Sequence, residues 1–182
     1  MTKSITGSFY LTETVILPGA SASGTRVQAT VDLSAYVNVP TGQAIAIESV
    51  DFIVQNGIDF GGDLAGMLVN NGCISTQLTD LNPSTALAQA NNHSLVASSA
   101  LNIDKVNSIG TSQSDLFPDN FGPANLSEAF LVVNDTLYLT SGNDNSVSGA
   151  NNLYVTARIR ARVVKLSTKD WMAIAIQSTA EA

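Results

Sequence analysis

The stretch Leu153-Tyr154-Val155-Thr156-Ala157-Arg158-Ile159-Arg160-Ala161-Arg162-Val163-Val164-Lys165-Leu166 decides the fold. Leu153, Val155, Ala157, Ile159, Ala161 and Val163 take alternate positions, and Tyr154, Thr156, Arg158, Arg160 and Arg162 take the others. Successive side chains of a strand point to opposite faces, so this pattern predicts a long strand with one apolar and one cationic face. The period changes directly afterwards. In Ser167–Ala182, Thr168 suits an N-cap with Asp170 in the first turn, and Trp171, Ile174 and Ala175 follow helical spacing. Met172 and Ile176 lie beside them, and Ser178 closes the stripe. A short C-terminal helix is expected, or an extended tail that docks. Trp171 is the only tryptophan, and its large apolar body favours burial.

Upstream, the same period recurs between turn signals. Ser4–Leu17 reads as a strand through Ile5, Phe9, Leu11, Val15 and Leu17, and is ended by Pro18-Gly19. In Thr25–Val37, Val27, Ala29, Val31 and Leu33 alternate with Arg26, Gln28, Thr30 and Asp32. Pro40-Thr41-Gly42 is a turn before the strand Ala44–Gln55. Parity shifts inside that strand. Ile45 and Ile47 are odd, while Val50, Phe52 and Val54 are even, which predicts a β-bulge at Glu48–Ser49. Asn56–Gly62 reads as loop and Leu64–Ile74 as strand. Asn82-Pro83-Ser84 suits the cap of a short helix running to Asn91. Leu95–Ile103 reads as strand and Ser108–Gly122 as a long loop. Ala129–Thr140 is strand with a kink at Asn134-Asp135, and Ser141–Asn152 is loop. Seven or eight strands, little helix and no fixed repeat indicate an all-β sandwich or barrel, occupying residues 1–182 as one domain.

Composition narrows the function. The 182 residues are 45% hydrophobic but only 13% charged, about half the usual charged share. Net charge is −7, which disfavours direct nucleic-acid binding, because phosphates require a basic face. The N-terminus carries only Lys3 before Arg26, so there is no basic arm. Neither a secretory signal nor a run near the roughly 18 apolar residues of a membrane span is expected. Asn-x-Ser/Thr triplets begin at Asn92, Asn125 and Asn134. Such triplets are common by chance in a chain this rich in Asn and Ser.

Little catalytic chemistry remains. One histidine, His93, and no Gly-x-Ser-x-Gly elbow leave no triad signature, so His93 reads as a surface or loop residue. The lone Cys73 permits no internal disulfide or cysteine metal cluster and reads as a small core residue. The carboxylates Glu13, Glu48, Asp51, Asp59, Asp63 and Asp104 are scattered as on a solvated surface. Asn143-Asp144-Asn145 resembles the start of a Ca²⁺ loop, and Asp59 with Asp63 forms a second weak candidate, but both read as turns. Gly61-Gly62-Asp63-Leu64-Ala65-Gly66 lacks the lysine of a phosphate loop. No catalytic residue, cofactor or metal is expected.

Contact features stand out instead. Arg158, Arg160, Arg162, Lys165 and Lys169 are five of the eight basic residues. Arginines on one strand face repel unless acids answer them. Those acids would lie either on adjacent strands or on a neighbouring subunit. Arg158, Arg160, Arg162, Trp171 and Ile174 are therefore the candidate interface residues.

The long Val/Ile/Thr strands joined by Asn/Ser/Gly loops, the scarce lysine, and the final strand Leu153–Val164 leading into an apolar tail resemble a viral single-jelly-roll capsid protein. In size and acidity the chain is similar to the smaller major capsid protein of the sphaerolipovirus group, icosahedral membrane-containing double-stranded DNA viruses. The resemblance implies a jelly-roll β-sandwich of about eight strands that self-assembles, or co-assembles with a second capsid protein, into a shell. It further implies synthesis in the host cytoplasm, residence in the virion and an internal membrane between shell and genome. No small-molecule substrate is implied. The alternative is a β-sandwich binding module for carbohydrate or a receptor, such as a viral spike. A glycosidase-like enzyme ranks third.

Overall fold

A computed structural model describes residues 3–116 and 130–180. Ten strands run in the order β1 (Lys3–Ser4), β2 (Phe9–Leu17), β3 (Arg26–Asp32), β4 (Gln43–Asn56), β5 (Gly72–Thr79), β6 (Leu95–Asp104), β7 (Ile109–Leu116), β8 (Phe130–Val132), β9 (Thr136–Asp144) and β10 (Leu153–Lys165), followed by helix α1 (Thr168–Ala180). They form two antiparallel sheets. In the first, β2 and then β1 line one side of β10, and β4 and β8 follow on the other. The second has the order β3-β9-β5-β6-β7.

The pairing is nested. β5 pairs β6, β4 pairs β8, β3 pairs β9 and β2 pairs β10, alternating between the sheets at each step outward. A long hairpin rolled around a barrel axis produces this order, so the fold is a jelly-roll β-sandwich. β7 extends the second sheet beyond β6. The connections 18–25, 57–71, 105–108 and 145–152 gather at one end of the sandwich, here the loop end. The connections 33–42, 80–94 and 133–135, with α1, gather at the other.

β10 behaves as its sequence predicts. Leu153, Val155, Ala157, Ile159, Ala161 and Val163 are buried between the sheets. The bulge is present too. Arg160 faces Ser49 and Ala161 faces Ile47, so Glu48 is the extra residue. It lets Ile45 and Ile47, then Val50, Phe52 and Val54, all enter the same core. Val164 and Leu166 depart from the alternation. They are buried on the outer side with Ala44, Ala46 and Val133, where Trp171, Ile174 and Ala175 of α1 cover them. Gly42, at φ +71°, makes the turn beneath this helix, and its carbonyl accepts from Leu166 N at 2.8 Å.

Several expectations require correction. The N-terminal strand is broken between Ser4 and Phe9, where the Thr6 hydroxyl accepts a hydrogen bond from Val163 N at 3.0 Å. The next strand stops at Asp32, whose carboxylate accepts from Ser34 N and turns the chain. Leu64–Ile74 is not one strand. Asp63 caps a 3₁₀ turn at Leu64–Gly66, and β5 begins only at Gly72. No helix forms at 82–91. Ser84 and Thr85 have φ of +56° and +57°, and Gln77 anchors the loop through Ala88 N and O. Polar β7 replaces loop at 109–116, because β6 offers it a full ladder. Residues 117–122 of that expected loop lie outside the described residues, as does Asn125. Asn134-Asp135 marks the crossing from first sheet to second, and β9 runs on through Asp144. Cys73 is not a core residue. It is half-buried on β5, out of phase with buried Ile74, and lies 3.7 Å from Ser75 Oγ. The cap of α1 is Ser167, one residue before the expected Thr168. Ser167 Oγ accepts from Asp170 N and donates to Asp170 Oδ2.

Candidate functional site

The candidate interface residues lie on the outer face of the first sheet. Register sets three strands side by side there. Tyr10, Arg160 and Ser49 form one row, Thr12, Arg158 and Asp51 the next, then Thr14, Thr156 and Ile53, and finally Ile16, Tyr154 and Gln55. The charged side chains lie in the first two rows, and the last two hold Ile53, Ile16 and Tyr154 among Thr14, Thr156 and Gln55. Tyr10, Ile16 and Ile53 are exposed, and Tyr154 meets Phe60 edge-on at 5.2 Å.

The arginines are answered from within the chain. The bulge turns Glu48 outward, and its side chain is only 11% exposed. Arg160 Nε lies 3.0 Å from Glu48 Oε2, and Arg162 Nε lies 2.5 Å from Oε1. The Arg162 contact is one of charge, since its N–H is not aligned as a hydrogen bond. Ser8 Oγ donates to the same carboxylate at 2.8 Å. One bulge residue therefore ties β10, β4 and the segment before β2 together. Arg158 sits over the Tyr10 ring, 5.1 Å from its centroid. Among the described residues no carboxylate forms an ion pair with it. Trp171 and Ile174 pack on the same outer face from α1, in a cluster that includes Val164 and Ala46, the register partner of Arg162. Trp171 Nε1 is buried without an acceptor among the described residues.

The remaining candidates have local roles. His93 is exposed, with its Nδ1 3.4 Å from Gln177 Nε2 of α1. Asp144 binds Arg26 through both oxygens at 2.8 and 2.9 Å. Buried Asn143 donates to the carbonyls of Ser21, Ala22 and Ser146. Asp59 accepts from Gly61 N, and Asp63 accepts from Ala65 N. These side chains stitch turns. Among the described residues no three His, Cys, Asp or Glu side chains converge as a metal site. A cavity of about 260 Å³ between the sheets is lined by Phe52, Val54, Leu64, Met67, Ile74 and Leu101, with Thr76 and Ser99. Its lining holds no titratable side chain among the described residues.

One surface escaped the sequence pattern. At the loop end Ile58, Phe60, Val69, Val106, Ile109 and Val147 are all exposed. The loops carrying them are bound together. Val69 N donates to Val147 O at 3.0 Å, Gly149 N to Met67 O at 2.9 Å, and Lys105 N to Asn71 Oδ1 at 2.7 Å. Lys105 Nζ donates to Ala65 O. Ile58 and Phe60 in a Gly/Asp-rich loop were a legible signal, since apolar residues there have no strand face to fill. Asp59, Asp63 and Asp104 lie among these tips. Hydrogen bonds from Asn107 hold the Asp104 carboxyl below its ordinary range.

The strand order defines an all-β jelly-roll protein, with exposed apolar side chains at its loop end, arginines on the outer face of its first sheet and a C-terminal helix packed on that sheet. No protein-family profile matches the sequence, and no curated protein matches it. Among solved structures, a mutant of the unassembled Washington University polyomavirus VP1 pentamer is similar at 9% identity and TM-score 0.38, over 91% of this chain and 100% of that one. The unassembled KI polyomavirus VP1 pentamer is similar at 8% identity and TM-score 0.40, over 88% and 95%. These scores are low, and the jelly-roll assignment rests on the strand order itself.

Proposed function

We propose that the chain is a capsid subunit, one jelly-roll domain spanning residues 1–182, that assembles with copies of itself into the icosahedral shell of a virion. The observation that carries this reading is the ordered loop end with six exposed apolar side chains. Large exposed apolar patches mark interaction sites. The low charge of the chain suits extensive contact surfaces, and jelly rolls recur in viral shells. Arg158, Arg160, Arg162, Trp171 and Ile174 would contribute to subunit contact, directly or by holding the face rigid. A second capsid protein and an internal membrane beside the shell belong to the same proposal. No reaction is assigned. Sedimentation velocity and electron microscopy of the purified protein test it. Concentration-dependent rings, sheets or shells are expected, and a monomer at all concentrations overturns it.

A second reading is a carbohydrate- or receptor-binding module. The exposed Phe60 beside Tyr154 favours it, because sugars stack on aromatic faces. Glycan-array binding by a protein that stays monomeric would replace the first reading with this one.

A further inference from the structure

We propose that neighbouring copies meet head to tail, the loop end of one seated on the cationic outer face of the first sheet of the next. This rests on the capsid reading and names the contact within it. Two observations converge. The loop end is apolar and acidic: its most exposed tips, Val106 at 82% and Ile58 at 73%, stand among Asp59, Asp63 and Asp104, with Lys105 the cation in the 105–108 connection. The β10 face is complementary. Exposed Arg158 and Arg160 stand beside exposed Tyr10. Glu48 answers Arg160, and Asp51 is the cross-strand neighbour of Arg158 but forms no ion pair with it among the described residues. The arginines Arg158, Arg160 and Arg162 therefore outnumber the acids Glu48 and Asp51 on this face. The occupant of each patch is thus the other patch on a second copy of this chain.

The charges count against either patch pairing with its own copy. A twofold contact through one patch alone sets that patch against itself. That would place arginine against arginine, or aspartate against aspartate, and such juxtapositions are costly. Pairing the two different patches without reciprocation is heterologous, and it propagates into a ring when the rotation closes, whereas a reciprocal pairing would stop at a dimer. The apolar tips would supply burial, and the charges would set register and encounter rate. The loop end is also well prepared for docking. Phe60, Ser108 and Asn145 hold positive φ of 57°, 56° and 62°, and the hydrogen bonds between the loops limit the order still to be gained on contact.

The test is a charge exchange in the full chain, read by mass photometry and sedimentation. Arg158→Glu and Asp59→Arg should each weaken assembly about tenfold or more, and the double variant should recover to within roughly threefold of wild type. Circular dichroism and thermal melts check that each variant folds. Val106→Glu, at a side chain already in water, should block assembly without changing stability. Mixing Arg158→Glu with Val106→Glu should yield dimers but no larger species, since one intact contact remains per pair. Single variants that assemble as wild type, or a double variant that fails to recover, would overturn the head-to-tail contact and leave the capsid reading standing. Wild-type protein that never assembles would overturn both.

Discussion

Replacing Glu48 with alanine should weaken the first sheet at its centre. The carboxylate is shielded, and it holds Arg160 at 51% exposure, Arg162 at 24% exposure and the Ser8 hydroxyl. The Arg160 contact is half in water and is worth about 0.2–1 kcal/mol. The Arg162 contact is more sheltered, and removing the charge that answers it costs about 1.5–3 kcal/mol, between the worth of an exposed ion pair and the cost of breaking a buried one. The expected loss is about 2–4 kcal/mol, or a fall in Tm of roughly 5–15 °C for a chain of this length. Urea unfolding of the dissociated subunit measures it, and a double-mutant cycle with Arg162→Met should give a coupling of about 1 kcal/mol or more. Deleting Glu48 should cost no more than the alanine change. Without it, Ile45, Ile47, Val50, Phe52 and Val54 fall in phase on a regular strand, so only the arginine contacts are lost. A Glu48→Ala protein within about 0.5 kcal/mol of wild type, or a deletion that cannot fold, would refute this account.

Trp171→Ala should cost about 2–3 kcal/mol, because the ring covers Val164 and Leu166 without being fully buried; unchanged thermal stability would argue against docking of α1. Deleting Ser167–Ala182 should abolish assembly, and particles of normal size from the truncated chain would contradict a contact role for the tail. Gly149→Ala should destabilise the loop end by about 1–3 kcal/mol, since a Cβ there collides with the Gly66 carbonyl; faster amide exchange confined to 57–71 and 145–152 is the signature to seek. The Asp104 carboxyl is held below its ordinary 3.8 by its hydrogen bonds to Asn107. The stabilisation is thus complete above that value and is lost as pH falls through the lower folded value. Asn107→Ala should raise the Asp104 midpoint toward 3.8 in an NMR titration, and an unmoved midpoint would show that Asn107 is not the cause.

Much of the sandwich was legible because strand period is a local property. The alternation of β10 and the parity shift at Glu48 could be read without any partner, since burial on one face is written into every second residue. β7 was not legible. Ile109–Leu116 is polar and lies at a sheet edge, and a ladder on β6 specifies it rather than an apolar face. Gly66–Asn71 misled in the opposite direction. Met67 and Leu68 are buried and looked like strand, yet Asp63 turns the chain there and the burial comes from loop packing.

The sequence by itself determined that a strand face with three arginines and an apolar tail exist, and that the chain holds one histidine and one cysteine. The tertiary structure decided what answers the arginines. Glu48 is more than a hundred residues from Arg160 and Arg162 in sequence, and only the nested strand order and the bulge bring its carboxylate between them. The same holds for the loop end. Residues 57–71, 105–109 and 145–152 carry exposed apolar tips that look unrelated along the chain. Rolling the hairpin stacks their connections at one end. Proximity across such distances follows from topology, which no local pattern of residues encodes.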